Sequence, residues 1–306
     1  MPTPLLKIGT RGSPLALAQA RETRERLARA HGLDPEALEI VVITTTGDRV
    51  RDRPLAEIGG KGLFTKEIEE ALMSGAIDIA VHSMKDMPAQ LPDGLEIAAI
   101  LPREDPRDAF LSPVAKTLDA LPQGAVLGSS SVRRVAQALR LRPDLKPVQF
   151  RGNVETRLRK LDEGVAHATF LACAGLNRLG LSHVMTSAVP VEAMLPAVAQ
   201  GAVGIEIRSA HTKARELVAA INDPVSATAV DTERGFLAAL DGSCRTPLAG
   251  HANVEGGRIA FRGMALTPDG VHVFETSRAG NAADAARLGR DAGEEVRLTG
   301  GALLTF

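Results

Sequence analysis

The chain alternates between short apolar runs and longer stretches with apolar residues at every third or fourth position. Runs at 5–9, 38–46, 77–81, 95–100, 125–128 and 168–172 predict buried strands. The 3.6-residue period over 14–31, 64–74, 132–141, 154–163 and 213–221 predicts helices, and a further one opens at Asp223-Pro224 and runs to Leu240. Helix signals agree: Ser13-Pro14 and Asn153 are start signals, whereas Gly32, Gly75 and Gly164 are stops. Strand–helix alternation predicts parallel sheets covered by helices. Charged residues at 104–108 and the loop-then-strand 195–206 read as the chain leaving a first lobe and returning to it. Beyond residue 244 the period becomes two, over 248–254, 258–266 and 271–277. Glu255-Gly256-Gly257 and Pro268-Asp269-Gly270 separate these runs as hairpin turns, so an antiparallel meander is expected, followed by a helix capped by Asn281.

The expected fold is therefore α/β, with two lobes in the strand-then-return order of two-lobed binding folds and a small α+β C-terminal domain carrying a three-stranded antiparallel sheet. The expected boundaries are 1–101 plus 202–220, 106–196, and 224–306. A length of 306 residues suits two or three such domains. No sequence repeat relates the lobes.

Composition narrows the function. A formal net charge of −1 gives no global pull toward nucleic acid or anionic membrane. With no Trp or Tyr and eight Phe, aromatic platforms for stacking bases are scarce. Two distant cysteines make neither a disulfide framework nor a zinc site, so no metal is expected. No run reaches membrane-spanning length and the start lacks a signal-peptide core, so a cytoplasmic protein is expected.

Local charge is more informative. Arg133 and Arg134 follow Ser131 in a first helical turn, where the helix dipole disfavours cations. Either a bound anion compensates them or they form a solvated face. Arg151, Arg157 and Arg178 also sit near strand-to-helix turns, and guanidinium forks match carboxylates two bonds at a time. Such a set points to a ligand with several carboxylates or phosphates. Asp86, beside Lys85 and before Pro88, lies just past a strand end, where α/β proteins place their sites; a solvated ion pair is the plainer reading. Arg11 and Ser13 flank another helix start that could hold an anion. Gly59-Gly60-Lys61-Gly62 lacks the spacing of a phosphate-binding loop and reads as a flexible loop or lid, after a charged, helix-poor stretch at 47–54. Cys173 reads as packing. Cys244, in Gly242-Ser243-Cys244-Arg245-Thr246-Pro247, is either an inert turn thiol or a covalent handle.

These stretches, taken together and in order, resemble the porphobilinogen deaminases along nearly the whole chain. The resemblance is carried by Thr10-Arg11-Gly12-Ser13-Pro14-Leu15-Ala16, Gly59-Gly60-Lys61-Gly62-Leu63-Phe64, Val81-His82-Ser83-Met84-Lys85-Asp86, Arg103-Glu104-Asp105-Pro106-Arg107-Asp108, Ser130-Ser131-Val132-Arg133-Arg134, Arg151-Gly152-Asn153 and Gln200-Gly201-Ala202-Val203-Gly204. It implies two periplasmic-binding-protein-like (type II) lobes with the active cleft between them, and a dipyrromethane cofactor held by a thioether to Cys244. It implies head-to-tail condensation of four porphobilinogens to hydroxymethylbilane, with release of ammonia, by a monomer. It assigns catalysis to Asp86. Cofactor binding falls to Cys244, Lys85, Ser83, Ser131, Arg133, Arg134 and Gly152. Substrate binding falls to Arg11, Ser13, Phe64, Lys61, Arg151, Arg157, Arg178 and Gln200. Glu57 and Gly12 depart from residues common in the family. The alternatives are a non-catalytic two-lobed sensor of a polyanion and, more weakly, a cysteine hydrolase using Cys244.

Overall fold

The computed structural model describes residues 4–49, 64–241 and 246–304. In chain order the elements begin β1 (Leu6–Arg11), α1 (Pro14–His31), β2 (Leu38–Ile43), α2 (Thr46–Arg49), α3 (Lys66–Met73), β3 (Ile79–Ser83) and β4 (Leu95–Ile100). There follow β5 (Asp108–Leu111), β6 (Val126–Gly128), α4 (Val132–Leu141), β7 (Lys146–Val148), α5 (Val154–Asp162), β8 (Ala168–Ala172), α6 (Cys173–Arg178) and β9 (Ser187–Ala188). The last are β10 (Val203–Arg208), α7 (Thr212–Ala219), α8 (Pro224–Ala239), β11 (Leu248–Glu255), β12 (Arg258–Leu266), β13 (Val273–Asn281) and α9 (Ala285–Gly300).

Two compact units result, one of residues 4–49, 64–104 and 202–227, the other of 105–201 and the described residues from 228 on. The first contains a five-stranded sheet in the order β2-β1-β3-β10-β4. Strands β1, β2 and β3 are parallel, and β10 inserts antiparallel between β3 and β4. The second unit contains a sheet in the order β7-β6-β8-β5-β9, where β5 is the antiparallel insertion. Both follow one plan: second strand, first, third, a strand returning from the other unit's stretch of sequence, fourth. This is the type II lobe expected from the sequence.

Strand alternation divides the first sheet's faces. Ile79, Val81, Val203, Ile205 and Ile207 share a core with Leu27 of α1 and Val218 of α7. Ala80 faces the other way, toward Ile68 and Leu72 of α3. Helix signals read from the sequence are met locally. Ser13 Oγ accepts from Ala16 N (3.2 Å), Pro14 is the first helical residue, and Gly32 ends α1 with φ 63°. Asn153 Oδ1 accepts from Thr156 N at 2.9 Å.

In the second unit the meander β11-β12-β13 is antiparallel throughout. Ala249, Met264 and Leu266 of this sheet pack with Ala136 of α4 and Leu195, so 228–304 shares a compact unit with 105–201. Three local expectations are corrected. Thr46–Arg49 forms one helical turn where a helix-poor stretch was expected. Strand β13 starts at Val273, because His272 N and O close the hairpin on Thr267, and it extends to Asn281 rather than stopping at 277. Asn281 makes no side-chain cap; a single 3-10 turn intervenes before α9.

Candidate active site

The ends of β1 and β3 lie side by side in a parallel pair, and both deliver polar residues to one edge of the first sheet. At the end of β1, Arg11 is followed by the Ser13 cap of α1. At the end of β3 the chain makes a 3-10 turn over Met84–Asp86. Met84 is drawn into the core against Gly204, where a Cβ would lie 2.1 Å from its sulfur. With Met84 inward, Lys85 and Asp86 are left exposed. Met87 is again buried, and Pro88 after it holds Met87 in the extended conformation.

A pocket forms here, lined among others by Arg11, Ser13, Phe64, His82, Ser83 and Asp86. The Arg11 guanidinium lies 4.1 Å from the centroid of the Phe64 ring. Such a cation–π contact contributes about 0.5–1 kcal/mol at a partly exposed site and fixes the guanidinium plane. Gln19 Nε2 donates to Ser83 Oγ at 2.9 Å, which orients that hydroxyl. The pocket therefore combines an exposed carboxylate, a guanidinium set over an aromatic ring, and the hydroxyl residues Ser13, Thr65 and Ser83.

In the second unit the expected cationic residues fall into two groups. Arg133 and Arg134 are buried, so the solvated-face reading is excluded. The anion facing them is internal: Asp108 on β5, itself fully buried. Arg133 Nη1 donates to Asp108 Oδ2 at 2.7 Å and to Leu195 O at 2.8 Å. Arg134 donates through Nε (3.0 Å) and Nη2 (2.7 Å) to Asp108 Oδ1, and through Nη1 to Phe170 O (2.8 Å). Gln200 Nε2 adds a bond to Asp108 Oδ1 at 3.0 Å and one to Pro106 O at 2.8 Å. Burial by itself would raise the Asp108 pKa. The two guanidinium charges and their hydrogen bonds overcome it and hold the carboxyl far below the usual range.

The second group is differently placed. Arg151 is half-buried, and its Nη1 is shut off from solvent without a hydrogen-bond partner. A buried guanidinium N–H without an acceptor is costly and suits an incoming carboxylate. Arg157 Nε donates to Gly152 O at 2.9 Å. Gly152 has φ 124°, and a Cβ there would lie 2.6 Å from Thr156 Cγ2, so the turn admits only glycine. Arg178 Nη1 donates to Gly201 O at 3.1 Å, and Ser131 Oγ accepts from Arg134 N at 3.4 Å as the cap of α4. Cys173 is buried as expected, and burial, aided by Asp105, pushes its pKa up to about 11. Lys61, Glu57 and Cys244 lie outside the described residues. Gly12 is exposed; a Cβ there would meet Val42 Cγ1 at 3.2 Å.

In the sequence Asp108 stands out only as the end of the charged stretch 104–108, and Glu206 only as the end of the loop-then-strand 195–206. Each is a lone carboxylate in an apolar strand, Asp108-Ala109-Phe110-Leu111 and Ile205-Glu206-Ile207. Such a residue needs a buried partner, and that is the signal that marks it.

Residues 6–216 match the family model described as porphobilinogen deaminase, dipyromethane cofactor binding domain, and residues 227–297 match porphobilinogen deaminase, C-terminal domain. The chain belongs to the porphobilinogen deaminase family. It is 60% identical over 299 residues to a porphobilinogen deaminase of Paracoccus denitrificans strain Pd 1222, covering 97% of this chain and 96% of the relative. It is 57% identical over 297 residues to one from Nitrobacter winogradskyi, covering 97% and 94%. Among solved structures it is similar to a periplasmic substrate-binding protein of an ABC transporter from Coxiella burnetii, at 15% identity and a TM-score of 0.44, over 73% of this chain and 94% of that one. The deaminase family sets aside the non-catalytic sensor as the main reading. Among the described residues, no helix is long and apolar enough to cross a membrane.

Proposed function

We propose that this chain is a hydroxymethylbilane synthase that condenses four porphobilinogens head to tail, releasing ammonia at each step, in tetrapyrrole biosynthesis. The observation that supports it most directly is the pocket at the ends of β1 and β3, where Asp86 stands exposed with Arg11, Ser13 and Ser83.

The donor set suits a dipyrromethane. Each pyrrole carries an acetate, a propionate and one ring N–H. Arg151 Nη1 lacks an acceptor, and Asp86 offers a carboxylate to N–H donors. When bound, this cofactor supplies the pyrrole primer on which the product is assembled. Cys244 holds it as a thioether, and Lys85, Ser83, Ser131, Gly152, Arg133 and Arg134 are its proposed binding residues. In the described conformation Arg133 and Arg134 already serve Asp108, so their part is to build the turn that presents Ser131.

Arg11, Ser13, Phe64, Lys61, Arg151, Arg157, Arg178 and Gln200 receive porphobilinogen and its carboxylates. Loss of ammonia from the aminomethyl group leaves positive charge spread over the substrate's ring, including its nitrogen. Asp86 is the catalytic residue: a fixed carboxylate at the pyrrole N–H stabilises that charge as it develops. Arg11, held by Phe64, keeps the carboxylates of the substrate aligned. The protein works as a cytoplasmic monomer, and 224–306 forms a third module carrying Cys244.

Intact-mass measurement of the native protein tests the cofactor: a mass above the bare chain by two pyrrole units, mapped to Cys244, is expected. Asp86→Asn tests the site. Because Asp86 is exposed and outside the core, the variant keeps its fold and cofactor mass while ammonia release falls by at least about 100-fold. Turnover near wild type in a loaded Asp86→Asn enzyme would refute the assignment.

A further inference from the structure

Behind the Asp86 pocket lies an ionisable cluster that the reaction as described does not use. Strand alternation sends Ser83 toward Gln19 of α1 and sends His82 to the opposite face of β3, under α3. There His82 Nε2 lies 2.9 Å from Oε2 of Glu206 on β10. Glu206 is 0% exposed, and its Oε1 is buried without a hydrogen-bond partner. Glu69 of α3 completes the cluster. Burial raises its pKa and the Glu206 charge adds to this, against the Thr65 hydroxyl and the His82 charge. Its Oε1 is also buried without a partner.

The nearest cation on the same face of β10 is turned away. Arg208 Nη1 donates to the carbonyls of Leu72 and Ile77, and Nη2 lies 4.0 Å from Asp78. His82 is therefore the hydrogen-bonding partner of a carboxylate wholly removed from water. His82 is also among the residues that line the pocket holding Asp86 and Arg11. With Nε2 committed to Glu206, the remaining ring nitrogen is Nδ1, which forms no hydrogen bond among the described residues. A buried carboxylate on one imidazole nitrogen fixes the tautomer, makes the other nitrogen a base and stabilises the imidazolium that results.

We propose that Glu206 and His82 form a dyad in which His82 Nδ1 is the base that takes the proton released at each condensation, with Glu206 as the positioning residue. This rests on the reading of the pocket as the condensing site. The aminomethyl nitrogen leaves as ammonia from its protonated form, and the carbon left behind bonds to the attacking pyrrole carbon. The C–H bond of that attacking carbon then breaks. Its electron pair restores the aromatic ring, and the proton passes to Nδ1. The imidazolium returns the proton to solvent before the next round, so each cycle consumes one ammonium-form substrate and yields ammonia and a proton. Asp86 is thereby left with the electrostatic role alone.

The test uses the cofactor-loaded enzyme and begins with the wild type. Nitrogen-15 NMR of labelled histidines should show His82 with its proton on Nε2 when neutral, and Glu206→Gln should change that tautomer or its exchange rate. An Nδ1–H tautomer in the wild type overturns the proposal without touching the function. His82→Gln should keep cofactor mass and KM, lower kcat for ammonia release by on the order of 100-fold, and abolish the acid limb of the kcat profile. Glu206→Gln should displace that limb while retaining it. Loaded His82→Gln enzyme with wild-type kcat, or with an unchanged acid limb, overturns the dyad. A wild type that releases no ammonia from porphobilinogen overturns the function and the dyad together.

Discussion

Replacing Asp108 with alanine should strongly destabilise the second unit. Asp108 is fully buried and accepts from Arg133 Nη1, Arg134 Nε and Nη2, and Gln200 Nε2, at 2.7–3.0 Å. Alanine leaves two buried guanidinium groups without their counter-charge, and water cannot replace it without opening the unit. Breaking a buried pair from one side costs about 3–5 kcal/mol, because the surviving charge stays desolvated. Two arginines share this one carboxylate, so the upper half of the range is expected. At about 2–4 °C per kcal/mol for a unit of this size, the melting point of the second unit should fall by roughly 8–20 °C. Urea unfolding by circular dichroism, with hydrogen exchange on α4 and β5, reads the change where it arises. The pH dependence has a definite sign. The Asp108 pKa is depressed in the folded state, so its stabilisation is complete above the unfolded value of 3.8 and is lost as pH falls below it, toward the folded value. Asp108→Ala should lack that strongly acidic loss. Exchanging all three residues for apolar ones, as Asp108→Leu with Arg133→Met and Arg134→Met, should restore much of the stability, since no unpaired charge remains. A loss below about 1 kcal/mol for Asp108→Ala would refute the reasoning.

Thiol chemistry gives an independent count. The loaded native protein should show no fast-reacting thiol, and the denatured protein should show one, Cys173, because Cys244 is tied up in the thioether and Cys173 is buried with its pKa pushed up to about 11. Two thiols on denaturation would mean an unloaded chain. Glu69 has the opposite pH sign to Asp108. Its raised folded pKa means that stability declines as pH rises from the unfolded value of 4.5 through the folded one, so Glu69→Gln should flatten the unfolding midpoint over that window and gain stability at neutral pH. An unchanged profile would count against the burial argument. Gly289→Ala should cost about 2–3 kcal/mol, since a Cβ there would lie 1.9 Å from Thr232 O on α8, and helix backbones cannot part without loosening the core around Phe236 and Phe261. A neutral effect in urea unfolding would show that α9 is free to shift.

The sequence by itself determined the elements, because their information is local. Ser13-Pro14, Gly32 and Asn153 act on their own helices, and two-residue alternation needs no distant partner to be seen. The order of motifs from Arg11 to Gln200 likewise sufficed to recognise the family and to single out Asp86. The ends of some elements were less legible. Strand β13 runs to Asn281 because Gly280 lets Leu288 of α9 close over it, a contact with no local signature. Only the tertiary structure decided what the charges do. Arg133 and Arg134 read as ligand-seeking, since cations at a helix start lack a local reason. The reason is Asp108, which lies 25 residues away from Arg133 along the chain and becomes its neighbour only when β5 enters the sheet antiparallel. His82 and Glu206 are separated by 124 residues and meet only because β10 returns beside β3. Periodicity records which face a residue takes. Which charge waits on that face depends on strand order, and strand order is a property of the folded sheet.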